Sequence, residues 1–534
     1  MTAATVSPLE TRREVLSPWL ITAAIMALAF LLRVPFWGQP FEMDEGLHAY
    51  MGWGWLQGMI PFRDMYNSKP PLVYLLHSLL FLVVEPTALN VKIFASFYAM
   101  ITTLAVFALG RRVGGTRTGW ASALLFALFS CGPRIQGGGV NCEVFMLLPY
   151  TLAAYCLIRG LEQEGQHQAF FFGLATGVAA SIKQVAGVNL IWFCLYLPVR
   201  RNYGVSWMAR HLLAAAAGFA LPWLAFALYF ALTGTLGKFF FWMVPANLAY
   251  VGEGYSGLEV LRCFYYQSTS VLAENGLLWV LAVFAILRRA RQAGEKAGAE
   301  IAGPRPRVVR LLAAWLGCSF VGVALGGRFF AHYYLQLVPP LAVLGAIGLM
   351  TLAQEISSLR LRLARRPLSL VLAAALAGTA FWGIKTDIPY YLHYTPEQVS
   401  LHQYHTPRFA VTRYLGRYLH RRTCPEDLVY VWAVDPEINF YALRRSPSPF
   451  LIQVDLDSWP WDARGEIIRA LRQQPPRYIV VLEPLSGFVE LRDHIVSDYE
   501  EEHNLELATL KQLVPFRLFR LRDGTKRVPE SREG

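Results

Sequence analysis

The sequence is poor in charged residues, which make up only 16% of its 534 residues, whereas hydrophobic residues make up 55%. A soluble globular protein carries about 25% charged residues, so this deficit excludes an ordinary soluble protein and predicts a polytopic membrane protein. The net charge of +12 does not indicate nucleic-acid binding, because the arginines form short clusters between apolar segments, as membrane orientation requires. We therefore expect a lipid bilayer, and no nucleic acid, as a partner.

Three further features are missing. The seven cysteines include no CxxC pair and accompany no His-rich spacing, so no zinc or redox site is predicted. We see no internal repeat. The N-terminal segment lacks the form of a cleavable signal, and its apolar run is long enough to remain as a membrane span.

Long apolar runs separated by basic clusters predict about eleven spans, with the N-terminus in the cytoplasm and the C-terminus outside. The run 72–84 is too short to cross, since a span needs roughly 20 apolar residues, and it is predicted to lie along the outer leaflet. The predicted spans are 19–36, 91–110, 118–133, 141–158, 169–184, 185–199, 211–233, 273–288, 311–326, 335–352 and 367–385. We expect a multi-pass protein of the cell's inner or plasma membrane.

The composition changes after these spans. Residues 1–385 are predicted to form the transmembrane domain, and residues 386–520 carry more charge, with strand-like and helix-like runs in alternation. LVYVWAV (428–434) and RYIVVLEP (477–484) are predicted strands, each followed by a predicted helix. A small extracytoplasmic α/β domain is therefore expected over 386–520, and the charged end, 521–534, is expected to be disordered.

The segment from residue 37 to 71, called the 37–71 loop below, follows the first predicted span and concentrates charge beside the membrane. Asp44 and Glu45 open its charged part, Asp64 follows, and Lys69 precedes Pro70-Pro71. A carboxylate at this position can act as a general base, and a lysine held by a proline stop suits a phosphate. The alternative is a solvated loop whose lysine snorkels along the bilayer.

Polar residues in other predicted outer segments could join such a site. Arg328 follows two glycines and precedes His332 and Tyr333, a composition that suits phosphate binding but also an interfacial aromatic belt. Asn141 and Glu143 begin a span and could cap a helix or face the site. The tentative substrate contacts are Tyr50, Asp64, Asn141, Glu143, Lys183 and Gln184.

The order of these residues resembles family 39 glycosyltransferases, a group with the GT-C membrane fold that includes protein O-mannosyltransferases and aminoarabinose transferases. Asp44-Glu45, Tyr50, Gly58, Pro61, Asp64 and Lys69-Pro70-Pro71 stand in the order of that family's first outer loop. The segments GGGVNCEVFMLLPYTLA (137–153), SIKQ (181–184) and GGRFFAHYYLQLVPPLAVL (326–344) are also similar to bacterial members.

The resemblance implies inverting transfer of a sugar from a polyprenyl-phosphate carrier to a hydroxyl of a glycan, lipid or protein outside the membrane. It implies that Asp44 is the general base, that Glu45 supports it, and that Lys69 and Arg328, with His332 and Tyr333, neutralise the lipid phosphate. Leu47 stands where aminoarabinose transferases carry an arginine, which disfavours lipid A as the acceptor.

Two other functions stay open at this point. A transporter or flippase of lipid-linked sugars would need the phosphate site but no base. A metal-dependent oligosaccharyltransferase would hold a divalent cation between carboxylates. No cofactor is expected, and the question of a divalent cation is left to experiment.

Overall fold

The computed structural model of the protein describes most of the chain. The described residues are 8–163, 165–197, 204–252, 255, 257–294, 304, 306–358, 370, 374, 377–378, 381, 385, 387–453, 461–503 and 505–523.

Helices account for nearly all regular structure in the first two thirds of the chain. In chain order they are α1 (Pro8–Leu31), α2 (Met43–Leu56), α3 (Leu72–Phe81), α4 (Ala88–Gly114), α5 (Thr116–Phe129), α6 (Cys142–Gly160), α7 (His167–Ala180), α8 (Val188–Tyr196), α9 (Val205–Leu232), α10 (Leu236–Met243), α11 (Pro245–Gly252), α12 (Gly257–Gly294), α13 (Pro306–Ala324) and α14 (Val338–Ser358). Short 3-10 segments cover Val34–Phe36, Gln184–Gly187 and Ala331–Leu337.

Seven helical segments among the described residues are long and apolar enough to cross a membrane. They correspond to α1, α4, α6, α9, α12, α13 and α14. Large apolar side chains are exposed on several of them, for example Leu213, Leu224 and Leu228 on α9. An exposed apolar surface of this kind matches lipid rather than water. The protein is therefore a multi-pass membrane protein, as predicted.

The predicted number of spans was higher than seven. Predicted spans 118–133, 169–184 and 185–199 correspond to α5 and α7, of 14 residues each, and to α8, of nine. At 1.5 Å per residue, 14 residues extend about 21 Å, which is less than the roughly 30 Å hydrocarbon core of a bilayer. Most of the predicted span 367–385 lies outside the described residues. The run 72–84 contains α3, whose ten residues are too few to cross.

The C-terminal part of the chain is a small α/β fold, as predicted. It contains α15 (Ile388–Leu392), α16 (Pro396–Tyr404), α17 (Arg408–Arg422), β1 (Val429–Trp432), α18 (Glu437–Ala442), α19 (Ala463–Gln473), β2 (Tyr478–Val481), α20 (Val489–Asp498), β3 (Tyr499–Glu501), α21 (Leu505–Leu513) and β4 (Arg517–Leu521).

Its sheet has the strand order β1-β2-β4-β3. β1 and β2 are parallel, with Val429 opposite Tyr478, whereas β4 is antiparallel to both of its neighbours. Residues of β1 and β2 are buried without alternation, as expected for strands covered on both faces. Leu415 and Leu419 of α17 belong to the same core. β1, β2 and the helices after them confirm the prediction, whereas β3 and β4 were not predicted.

The chain divides into two compact units. The first contains Met1–Phe36, Ile93–Phe226 and Leu248–His393, and so most of the apolar helices. The second contains Trp37–Lys92, Ala227–Asn247 and Tyr394–Gly534. The 37–71 loop therefore belongs to the same unit as the C-terminal sheet, although more than 300 residues of sequence separate them.

Candidate active site

The 37–71 loop contains a helix whose first turn is unusually acidic. α2 begins with a capping box: Glu42 Oε1 accepts a hydrogen bond from the Glu45 amide at 3.1 Å, and Glu45 Oε2 accepts one from the Glu42 amide at 3.2 Å. These bonds satisfy amides that have no partner inside the helix, and negative charge is favourable at a helix N-terminus. Asp44 is thereby placed in the first turn of a helix with a defined start.

Asp44 lies beside Lys69, at the other end of the loop. The distance from Asp44 Oδ2 to Lys69 Nζ is 3.9 Å, and the two side chains are 21% and 18% exposed. Tyr74 donates a hydrogen bond to the Lys69 carbonyl at 3.0 Å, and the Lys69 amide donates one to Asn67 Oδ1 at 3.4 Å. The structure thus brings together a carboxylate and an ammonium group that remain partly accessible.

Glu45 is buried, in contrast to Asp44. Its Oε2 lies 3.3 Å from Lys92 Nζ, and the two side chains are 0% and 1% exposed. A buried charge requires such a partner, because desolvation of an unpaired ion is very unfavourable. Glu45 therefore anchors the start of α2 to the start of α4. Lys92 was not singled out from the sequence; its only signal was a lysine within the first turns of an apolar helix.

Glu42 is a third carboxylate that sequence reasoning passed over. Burial raises the pKa of Glu42 well above its usual value, and the nearby charges of Asp44 and Glu45 raise it further. The spacing E-M-D-E was visible in the sequence. Because Glu42 precedes the helix, the capping box that draws it towards Glu45 could not be recognised without the helix boundary.

Tyr50 and Asp64, two tentative substrate contacts, have structural partners. Tyr50 is buried, and its hydroxyl oxygen accepts a hydrogen bond from the Ser446 amide at 2.8 Å; burial raises its pKa. Asp64 Oδ2 accepts from the Ile60 amide at 2.7 Å, and both carboxylate oxygens bind the Arg63 guanidinium. These contacts shape the loop and hold it against the C-terminal domain.

The first unit holds a separate cluster of predicted residues. Glu143, at the start of α6, forms an ion pair with Lys183, and His332 Nε2 lies 4.0 Å from the same carboxylate. Lys183 Nζ is 3.7 Å from the centre of the Tyr333 ring. Four residues chosen from three distant sequence segments therefore meet in one buried polar cluster.

Two residues beside this cluster have unusual local structure. Gln136 has a left-handed backbone, with φ of 58°, and its Oε1 lies 2.9 Å from His332 Nδ1. Asn141, directly before α6, is buried, and neither polar atom of its side chain has a hydrogen-bond partner among the described residues. Backbone strain and unsatisfied buried polar groups are both common at functional sites. Gln136 was not predicted as a site residue, although it precedes the three glycines of the 133–141 segment.

Arg328 and Gln184 complete the set of predicted residues. Arg328 is half-buried, and its guanidinium carbon is 5.7 Å from the centre of the Tyr255 ring. Its turn contains three left-handed residues, Gly326, Gly327 and Phe329, of which only Phe329 has a steric cost for that conformation. Gln184 begins the 3-10 segment that follows Lys183. Within the parts of the chain that the structure describes, no group of three or more His, Cys, Asp or Glu side chains is arranged to hold a metal ion.

Comparison with known proteins finds a family model that matches part of the chain. Residues 68–240 match the family model described as dolichyl-phosphate-mannose-protein mannosyltransferase. No curated protein sequence matches the chain.

Solved structures extend the similarity to nearly the whole chain. ArnT from Cupriavidus metallidurans bound to undecaprenyl phosphate is 14% identical, with 96% of this chain and 99% of that chain covered and a TM-score of 0.62. The oligosaccharyltransferase of Archaeoglobus fulgidus in complex with Zn and sulfate is 13% identical, with 86% of this chain and 67% of that chain covered and a TM-score of 0.52. At these identities the likeness establishes the fold, and it confirms the predicted membrane fold in its coarse form.

Proposed function

We propose that the chain is a glycosyltransferase of the dolichyl-phosphate-mannose-protein mannosyltransferase family, whose model its residues 68–240 match. It moves a sugar from a polyprenyl-phosphate donor to a hydroxyl acceptor on the extracytoplasmic face of the membrane. The fold likeness to an ArnT structure that contains undecaprenyl phosphate supports this class of donor. The positive-inside pattern of the sequence supports the side of the membrane.

The proximity of Asp44 and Lys69 is the observation that carries the proposal. Asp44 takes the proton of the acceptor hydroxyl while the hydroxyl oxygen forms a bond to the anomeric carbon of the donor sugar. The bond from that carbon to the phosphate oxygen breaks in the same displacement, which inverts the configuration. Lys69 stabilises the negative charge of the departing lipid phosphate.

The buried Glu45–Lys92 pair acts as a positioning device for this chemistry. Both side chains are inaccessible, so Glu45 is assigned no contact with substrate. By holding the first turn of α2, the pair limits the movement of Asp44, and small displacements of a catalytic group lower the rate strongly. This gives the predicted supporting role of Glu45 a physical basis.

Arg328, His332 and Tyr333 remain proposed ligands of the donor phosphate, and Asn141, Glu143, Lys183 and Gln184 remain proposed substrate contacts. The ion pair of Glu143 with Lys183 and the hydrogen-bonding distance between Gln136 and His332 support a rigid polar surface in the first unit. The unpartnered amide of Asn141 supports a ligand at the N-terminus of α6.

Replacing the proposed base tests the central assignment. Asp44→Asn keeps the size of the side chain but removes its basicity, so transfer should fall by about 10²- to 10⁴-fold. The measurement is mass spectrometry of envelope glycans and lipid-linked sugars in a deletion strain that expresses each variant. Glu85→Gln, at an exposed acid in the same unit, is the matched control and should behave as the wild type. Normal transfer by Asp44→Asn, at wild-type abundance, would instead favour a transporter.

A chelator distinguishes the metal-dependent alternative. Because Lys69 supplies a positive charge beside Asp44, we expect transfer by the purified protein to persist in excess EDTA. Loss of transfer in EDTA that magnesium, manganese or zinc restores would show that a cation acts with the carboxylates, as in the oligosaccharyltransferase alternative.

A further inference from the structure

An aromatic cavity lies in the second unit, apart from Asp44 and Lys69. Its volume is about 330 Å³, and Tyr66, Phe241, Trp242 and Trp461 form most of its walls. The Tyr66 and Trp242 ring centres are 5.1 Å apart, and those of Phe241 and Trp461 are 5.0 Å apart. Flat apolar rings on several sides, around a volume within the usual range for ligand sites, are suited to a small cyclic ligand.

Polar groups at one side of the cavity are held in fixed directions. Tyr66 donates a hydrogen bond to Glu466 Oε1 at 3.0 Å, and Trp461 Nε1 donates one to Glu466 Oε2 at 3.1 Å. Lys238 Nζ donates to the Tyr66 hydroxyl at 3.0 Å. A carboxylate and an ammonium group set among aromatic faces can bind the hydroxyls of a sugar while its C–H face stacks on a ring.

A second, polar cavity adjoins the first and shares Glu466 with it. Its volume is about 380 Å³, and its lining includes Arg63, Asp64, Arg445 and Gln474. Most of this surface carries hydrogen-bonding groups, in contrast to the aromatic cavity. The two cavities together offer stacking at one end and hydrogen bonding at the other, which fits a chain of sugars better than a single sugar or an acyl chain.

The aromatic cavity is connected to the loop end that carries Lys69. Tyr66 lies three residues before Lys69 in the sequence. Asn247 Nδ2 donates hydrogen bonds to the Ser68 carbonyl at 2.9 Å and to the Trp242 carbonyl at 2.8 Å, and so links the cavity wall to the residue before Lys69. Neither Asp44 nor Lys69 lines the cavity, so the reacting bond is not inside it.

We infer that the two cavities bind a glycan acceptor, whose remote sugars stack on Trp461 and Phe241 while its terminal hydroxyl is presented to Asp44. This inference rests on the proposed function, because it names the acceptor class of the same enzyme. It predicts a saccharide acceptor rather than a peptide or a simple lipid. The binding itself involves no chemical step.

A glycan array tests the inference with the full-length protein in lipid nanodiscs, since glycoside detergents would compete. The fluorescently labelled wild type should bind a subset of the immobilised oligosaccharides. Phe241→Ala and Trp461→Ala should each weaken that binding by about tenfold, whereas Trp461→Phe should keep most of it. Phe240→Ala is the matched control, because Phe240 neighbours Phe241 on α10 but is exposed and does not line the cavity.

Failure of this inference is distinct from failure of the proposed function. If the wild type binds no oligosaccharide, or if the cavity variants bind as well as Phe240→Ala, the glycan site is refuted while the Asp44→Asn transfer result still stands. Should the alanine variants fail to fold, Glu466→Gln preserves the shape of the site, and unchanged binding by that variant would equally refute the inference.

Discussion

At the scale of single residues, four charged side chains of the 37–71 loop and the start of α4 form two ion pairs that differ in exposure. Asp44 and Lys69 are partly exposed, at 3.9 Å, whereas Glu45 and Lys92 are buried, at 3.3 Å. A partly exposed pair at this distance contributes less to stability than a buried one, and breaking a buried pair typically costs about 3–5 kcal/mol. We therefore assign the first pair to contact with substrate and the second to holding the loop.

Two lysine variants should separate these roles. Lys69→Ala should leave the melting temperature nearly unchanged but weaken use of the lipid-phosphate donor, and Lys69→Arg should restore part of that use because it restores the charge. Lys92→Ala should lower the melting temperature and the yield, because it removes the cation that lies 3.3 Å from the buried Glu45 carboxylate. Thermal unfolding of the purified proteins and donor kinetics provide the two measurements. Equal melting temperatures for the two alanine variants would contradict this division of roles between the two ion pairs.

At the scale of elements, α2 packs closely against two other helices at two of its three glycines. A Cβ on Gly46 would lie 2.2 Å from Cβ of Glu437 in α18, and one on Gly52 would lie 2.4 Å from Cβ of His77 in α3. α2 therefore touches a helix of the C-terminal domain at one point and the short apolar helix α3 at another. This close packing ties the helix that carries Asp44 to the rest of its unit.

Adding a methyl group at either contact should destabilise the protein. We expect Gly46→Ala and Gly52→Ala to cost about 1–3 kcal/mol each by overpacking, and to reduce transfer because α2 must move. Gly317→Ala in α13 is the matched control: nothing lies within 4 Å of its added Cβ, so it should be neutral or slightly stabilising. Melting temperatures of the three variants are the measurement. An unchanged melting temperature for Gly46→Ala would show that the contact is looser than the structure indicates.

At the scale of the whole molecule, the residues that the structure describes combine seven candidate spans with a C-terminal four-stranded sheet. The positive-inside rule predicts that this sheet lies outside the cytoplasm, on the side where a polyprenyl-linked sugar would be used. A cysteine of the natural sequence can report on which side of the membrane the sheet lies. Cys424, between α17 and β1, is a free and exposed cysteine of the C-terminal domain.

A membrane-impermeant maleimide should label Cys424 in right-side-out membrane vesicles without permeabilisation. Cys424→Ser is the control and should remove the label from the peptide that contains residue 424, which separates that label from any on Cys194 or Cys263. The labelled peptide can be identified by mass spectrometry. Labelling that occurs only in inside-out vesicles would reverse the predicted orientation.

The sequence by itself determined the class of the protein, the helices of spanning length, two strands of the sheet and the resemblance to a glycosyltransferase family. These features depend on patterns that extend over 10 to 20 neighbouring residues, such as uninterrupted hydrophobicity, or on motif order, and both are visible in one dimension. The predicted count of about eleven spans is higher than the seven helices of spanning length among the described residues, in part because α5, α7 and α8 are apolar but short. A short apolar helix has the same composition whether or not it crosses the membrane.

Only the tertiary structure decided which of two adjacent carboxylates is accessible. Asp44 and Glu45 are neighbours in the sequence, but successive residues of a helix point in directions about 100° apart, so one faces Lys69 and the other is buried against Lys92. The aromatic cavity likewise depends on Tyr66, Phe241 and Trp461, which lie far apart in the sequence. Such pairings arise from packing between distant segments, and no local pattern of the sequence carries them.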